Sequence, residues 1–292
     1  MSRGAPGSVL VTGSTGNVGR AVASRLVDLG QSVVSAVREQ NDASVVAGTE
    51  ARAFDFLDPR GWSAAFAGVD RLFLLRPPAI ADVKRHLVPV IDAALDHGVE
   101  QIVFLSLQGV QFNFAAPHHA VEKYLRKRTA PFTLLRPNFF MQNLSSTYRD
   151  DIRHRGEIFV PTGRARTAFV DTLDIAAVAA VAATVFTQPA HLGRAYTLSG
   201  EESLDYFAVA DQLTKTLGYP VRYREPSVQA YVQRLTDSGA AADYIDIQKM
   251  IYRVVRMNVS AFPNRMIRRL TGRPATTFAE FALRESASWA RG

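Results

Sequence analysis

Along the first half of the chain, short runs of almost wholly apolar, β-branched residues alternate with segments whose apolar positions recur every three to four residues. Runs of the first kind suit strands covered on both faces, and segments of the second kind suit amphipathic crossover helices. Their alternation predicts an α/β fold built on a doubly wound parallel sheet of Rossmann type. Strands are expected at residues 8–12, 32–37, 51–54, 71–75, 101–106 and 132–135, with helices at 18–29, 59–67, 80–97 and 117–127 between them. After Leu135 the alternation fades into RPNFFMQNL and a polar stretch at 148–156. A helix is then expected to start near Asp171, with Asp174 in a capping arrangement, and to lead into an alanine-rich run at 175–186. A seventh strand at 195–198, a helix at 207–217 and a short strand at 221–224 follow, and the last 70 or so residues read as mainly helical. The expected division is a nucleotide-binding domain over 1–155, with a returning segment at about 165–200, and a small, mainly helical C-terminal lobe over 200–292. Within that lobe the helical region 228–266 suits either a lid or a subunit contact, so the oligomeric state is left open.

Composition narrows the class. The 292 residues are 47% hydrophobic and 21% charged, as in a globular protein with ample core, and they include no cysteine. Disulfides, thiolate nucleophiles and cysteine metal sites are thereby excluded, and a reducing, cytoplasmic setting is the expectation. The N-terminal apolar stretch is too short for a secretion signal. The longest apolar run is about a dozen residues where a bilayer needs roughly 20, so no membrane association is expected. The net charge of +7 draws anionic ligands, but the basic residues are scattered and lack interleaved aromatics, which argues against nucleic acid as the partner.

The most informative segment is VLVTGSTGNVGRAV, where Gly13, Gly16 and Gly19 follow an apolar strand at intervals of three and open an amphipathic helix. Gly13 suits the sharp turn, Gly16 admits close approach of a diphosphate, and Gly19 allows tight packing of helix on strand. The first amides of the helix then point at the anion. The second strand runs into Arg38 rather than an acidic residue. A guanidinium there favours the 2′-phosphate of NADP(H) over the free ribose of NAD(H), although Glu39 follows it directly. Asp55 and Phe56, after the third strand, are placed for the adenine edge and face, with organisation of the turn before Pro59 as the alternative for Asp55.

VTGSTGNVG, Arg38, FDFLDP, LLRPP, HHAVEKYL, TLLRPNFFMQNL, FVDTLDIAAVAA and TGRPATTFAEF together make the chain resemble the NmrA-like branch of the atypical short-chain dehydrogenase/reductase superfamily over nearly its whole length. The resemblance implies a Rossmann-type domain with a small C-terminal lobe and bound NAD(P). Some members of that branch reduce quinones or related acceptors; others are redox sensors that bind cofactor and a protein partner without turnover. By position it implies that Gly13, Thr15, Gly16, Asn17 and Val18 cradle the diphosphate while Arg38 and Asp55 attend the adenosine. Leu75, Arg76 and Pro77 would line the middle of the cofactor. The segment from Pro137 to Phe140 would close over the nicotinamide, with Phe139, Phe140 and Met141 beginning the acceptor pocket, ordinary core packing being the alternative for that group.

The tyrosine and lysine four residues apart that typical superfamily members use for alcohol–ketone chemistry are missing: none of the nine tyrosines has lysine at that offset, and Phe114 and His118 take the two places. His118 is the candidate catalytic residue, either as a proton donor oriented by Glu122 one helical turn on or as a hydrogen-bond partner of the nicotinamide ribose. Neighbouring His119 points about 100° away and finds no third metal ligand, and no GxSxG elbow supports a hydrolase. The expectation is an NADPH-dependent reductase of a small quinone-like or other planar, electron-poor acceptor, bound at the carboxyl edge of the sheet beside the C-terminal lobe. The second reading is a non-catalytic NADP(H) sensor with a protein partner.

Overall fold

The computed structural model describes residues 7–39, 44–184 and 189–291. In chain order the elements are β1 (Ser8–Val11), α1 (Asn17–Asp28), β2 (Val33–Val37), β3 (Glu50–Ala53), α2 (Trp62–Phe66), β4 (Val69–Leu75), α3 (Val83–His86), α4 (Val88–Asp96), β5 (Gln101–Leu105), α5 (Pro117–Lys127) and β6 (Phe132–Pro137). They continue as α6 (Gln142–Ser145), β7 (Glu157–Ile158), α7 (Thr172–Thr184), β8 (Arg194–Leu198), α8 (Tyr206–Leu217), β9 (Arg222–Tyr223), α9 (Val228–Asp237), α10 (Ala242–Arg256), α11 (Met266–Thr271) and α12 (Phe278–Arg284). The residues separate into two compact units. One runs up to Pro137 and takes in Thr172–Leu198 and Arg269–Gly272; the other comprises Asn138–Asp171, Ser199–Arg268 and the residues from Arg273 onward. The chain thus leaves the first unit at the end of β6, rather than near residue 155, and re-enters it with α7.

The first unit is a seven-stranded sheet in the order β3-β2-β1-β4-β5-β6-β8, every pairing parallel. Strand order reverses beside β1, the switch point where open α/β sheets bind ligands. Alternation along the strands divides the core. Leu10, Leu72, Leu74, Ile102, Phe104 and Leu134 join a cluster with Trp62 and Phe66 of α2, Val90 and Ile91 of α4, and Val121 and Leu125 of α5. On the other face α1 packs against α7, whose residues 175–180 are all buried. That helix is apolar all round, which is why the alanine-rich run has no polar face to show. Val185 and Phe186, the end of the run, lie outside the described residues.

The helix expected over 80–97 is two. The Asp82 side chain accepts from Arg85 N at 3.1 Å and starts α3 three residues late, and the chain restarts at Val88 with Pro89, which lacks an N–H and fits only a first turn. Nor does Asp171 serve merely as a helix-start residue. Its buried carboxylate accepts from Gln142 Nε2 at 2.8 Å and Arg284 Nη2 at 2.7 Å.

The second unit holds its own core around Phe169, Tyr206, Phe278, Phe281 and Trp289, with the two-stranded parallel sheet β7-β9 beside it. Within TGRPATTFAEF, Thr277 and Glu280 close a capping box that starts α12. Trp289 is fully buried and donates from Nε1 to Leu144 O at 2.9 Å, and its own carbonyl accepts from the Tyr219 hydroxyl at 3.0 Å. Among the described residues no helix is long and apolar enough to cross a membrane. Trp289→Ala is expected to lower the stability of the second unit by about 3–5 kcal/mol, because it removes a large buried ring and strands the Leu144 carbonyl. Chemical denaturation followed by amide exchange in α8 and α12 measures this, and a loss below about 1 kcal/mol would show that the ring is not an anchor.

Candidate active site

The turn after β1 is stitched to its neighbours by two hydroxyls that sequence reading passed over. Thr12 Oγ1 donates to Phe73 O and accepts from Leu75 N at 2.7 Å, which ties the turn to β4; Ser14 Oγ donates to Ala36 O, which ties it to β2. Both are completely buried. Gly13 sits at φ +62°, in the left-handed region, and its Cα faces the Leu75 side chain. The three glycines then differ in what requires them. A Cβ on Gly19 would lie 2.2 Å from Gly13 O, so the protein itself forbids a side chain there. A Cβ on Gly16 would meet only Gly13 O, at 3.4 Å, and otherwise project into open space. Gly16 is also the N-cap, at φ −90° and ψ 172°, so α1 opens without a side-chain cap. Thr15, Gly16 and Asn17 are exposed, whereas Val18 is buried and can offer an anion only its backbone.

Arg38, at the end of β2, is exposed and makes no hydrogen bond or ion pair among the described residues. Asp55 is exposed too, and its Oδ1 accepts from Leu57 N at 2.8 Å, so it organises the turn as well as facing solvent. Phe56 departs from expectation: its ring is buried edge-on against Phe54, with centroids 4.9 Å apart, and belongs to the core instead of forming a platform for adenine.

Leu75, Arg76 and Pro77 follow at the carboxyl end of β4, all partly buried. Arg76 Nη1 donates to the carbonyls of Pro77, Pro78 and Ile80 and so shapes the loop, while its buried Nε has no partner. Burial without a carboxylate lowers the pKa of this guanidinium from its usual value.

His118 lies in the first turn of α5, its ring 5.9 Å from that of Phe104. Burial and the nearby Arg76 charge pull its pKa down to about 4, against an opposing pull from Glu122, so the imidazole is neutral at pH 7. Glu122 does not orient it. That carboxylate, 3% exposed, accepts from Ser106 Oγ at 2.7 Å, from Arg136 Nε and Nη2 at 2.9 and 2.5 Å, and from Arg126 Nη1 at 3.0 Å. Burial would raise the pKa of Glu122, but these donors outweigh it and hold the group ionised. Such a cluster joins β5, α5 and β6 through residues far apart in sequence, which is why it was not foreseen. Phe114 is 78% exposed and stacks edge-on against His119, whose Nδ1 lies 3.1 Å from Val110 O.

Pro137 ends β6 buried, its carbonyl accepting from Gln108 N. In the second unit, Phe139 and Phe140 are half-buried and are held by a bridge of Phe140 to Val170. Asn138 anchors this segment by donating to Ser260 O and accepting from Phe139 N. Met141 is fully buried in the core and offers no surface for an acceptor, contrary to expectation. The open side of Gly16, Arg38 without a partner among the described residues, and the orphaned Nε of Arg76 together suit an extended, multiply anionic ligand such as a dinucleotide.

Comparison with known proteins agrees with this architecture. The NAD(P)H azoreductase of Xenophilus azovorans is 31% identical over 292 residues, covering 96% of this chain and 99% of its own. The NADPH-dependent quinone oxidoreductase of Escherichia coli, solved with NADPH, superposes with a TM-score of 0.82 at 25% identity, covering 94% of this chain and 98% of the other. A triphenylmethane reductase of Citrobacter sp., solved with NADP(H), shares the fold with a TM-score of 0.82 at 24% identity over 96% of this chain and 99% of its own. The profile of the NmrA-like family matches residues 6–282, and the chain belongs to that family.

Proposed function

We propose that this protein is an NADPH-dependent reductase that delivers hydride to planar, electron-poor acceptors of the quinone or azo class. The observation that carries the reading is the glycine turn, whose Gly16 is open where Gly19 is closed, together with Arg38 at the end of β2, unpaired among the described residues. The acceptor class is supported by the azoreductase and quinone oxidoreductase relatives and by the missing tyrosine–lysine pair, which such acceptors do not need.

When bound, the nicotinamide supplies the hydride. The chain binds and orients. Backbone amides at the start of α1 hold the diphosphate at its positive end, Gly16 offering close approach while its own amide donates to Gly13 O, and Arg38 grips the 2′-phosphate. Asp55 attends the adenosine from its exposed position, and Leu75, Arg76 and Pro77 line the middle, with the Arg76 Nε donating to the ligand that satisfies it. His118, being neutral, serves as a hydrogen-bond partner of the ribose rather than as an acid, so the proton that follows hydride onto the acceptor comes from water. Pro137 bounds the nicotinamide end.

Mixing NADPH-loaded protein with a panel of quinones and azo dyes in a stopped-flow instrument is expected to show oxidation well above the uncatalysed rate. Flat traces with tight, redox-discriminating cofactor binding would instead favour a sensor. Arg38→Ala should weaken NADPH binding roughly 10- to 100-fold and leave NADH nearly unchanged, the size of one lost charge-assisted contact. Gly16→Ala should weaken both nucleotides while leaving thermal stability intact, and equal loss of NADPH and NADH affinity in the Arg38 variant would remove the 2′-phosphate role. For His118, NMR titration of the free protein should give a midpoint near 4. Because the unfolded chain takes up that proton first, near its ordinary value, the His118 contribution to stability is lost as pH falls from about 6.5 towards 4. The rate profile should then lack a limb near pH 6.5; such a limb, abolished by His118→Asn, would restore the proton-donor role.

A further inference from the structure

Helix α10 shows two apolar faces, and only one is used. Tyr252 and Val255 are buried in the second unit's core, with Tyr244 on their side of the helix near Tyr148 and Tyr231, whereas Ile247, Met250, Val254 and Met257 are 37–68% exposed on the side turned away. Their spacing of three, four and three residues keeps them within about 80° of one another around the helix, over about 15 Å at 1.5 Å per residue. Beyond the helix Val259 and Phe262 are also exposed, Phe262 at 71%. Four large apolar side chains exposed in a stripe on one side of a helix mark an interaction surface.

The order of residues along the stripe identifies what covers it. Read backwards, the stripe repeats itself: Ile247 stands opposite Val254, and Met250 opposite the half-buried Ile251. The charges beside it reverse in the same sense, with Asp243 and Asp246 near the start of the helix and Arg253 and Arg256 at its end. Asp243, Arg253 and Arg256 have no ion-pair partner among the described residues, and Asp246 meets only the exposed Lys249. When two such helices pack face to face and antiparallel about a two-fold axis, the charged flank of each lies on the same side as that of its mate. The acidic start of one helix then meets the basic end of the other; a parallel pair would place the two flanks on opposite sides.

We infer that the exposed face of α10 is the contact of a two-fold homodimer, in which α10 packs antiparallel on α10 of a second copy of this chain. Such an isologous contact closes on itself and needs no second patch. Apolar burial holds the pair, and the crossed carboxylate–guanidinium pairs at the two ends set its direction.

The absence of cysteine makes a direct test available. Light scattering at about 50 µM should give twice the 32.0 kDa chain mass, and Met250→Glu should raise the dimer dissociation constant at least tenfold with the melting temperature of the monomer unchanged. Under mild oxidation Met250→Cys, next to the two-fold axis, should form a covalent dimer, whereas Leu283→Cys, 70% exposed elsewhere in the second unit, should not. Reversing Asp243 and Asp246 to Arg should weaken the dimer, and adding Arg253→Glu and Arg256→Glu should restore it, since the reversed pattern is again self-complementary. A single-chain mass for the wild type, or equal crosslinking of the two cysteine variants, overturns the inference. So does a monomer in which Met250→Glu raises KM for the acceptor, which would make the stripe a lid.

Discussion

The first turn of α1 rests on the carbonyl of Gly13 so closely that no β-carbon fits between them. That single approach fixes where the helix begins and which way its first amides point. The end of β1 is held in turn by Thr12 and Ser14, which bond to the strands on either side. Because all seven strands run parallel, Arg38, Asp55, Arg76 and Pro137 arrive at the same edge of the sheet as this turn. The ligand cradle is thus a by-product of packing: the helix could not be moved off the strand without losing the anion-binding end of its dipole.

Charge is distributed to the same end. In the first unit the buried carboxylate of Glu122 is enclosed by Arg136, Arg126 and the Ser106 hydroxyl and has nothing left to offer a neighbour. Arg76 is held by three carbonyls instead of a carboxylate, and Arg38 by nothing described. The buried Glu122 is thus neutralised by its own arginines, while Arg38 and Arg76 stand at the carboxyl edge without a carboxylate partner among the described residues, alongside the exposed Asp55. The neutrality of His118 follows first from the burial of its own ring and then from the nearby Arg76 charge.

The sheet was legible because buried parallel strands leave uninterrupted apolar runs, and the cradle because three glycines at fixed intervals followed one of them. What escaped reading depends on where a side chain turns after its strand ends. Phe56 and Met141 look as available as Asp55 and Phe140 in sequence, yet the backbone folds both inward, and periodicity carries no information past the last paired residue. The pairing of Glu122 was misjudged for a related reason. One helical turn brings it near His118, but Arg136 on the neighbouring strand presents a fork that fits a carboxylate better than an imidazole does. The split of the fourth helix turned on Asp82 and Pro89, local signals that were overridden by the continuous apolar pattern around them.

The seventh strand, β8, joins the sheet from beyond a long excursion, and that ordering constrains how the protein is made. When β6 leaves the ribosome its outer edge has no neighbour, and the strand that will cover it is still about sixty residues from synthesis, roughly 3–12 s at cellular elongation rates. During that interval the nascent chain carries an unpaired, apolar parallel edge of the kind that captures other chains. Shielding of the nascent β6 edge until β8 is made would therefore protect this polypeptide at the stage when its sheet is incomplete.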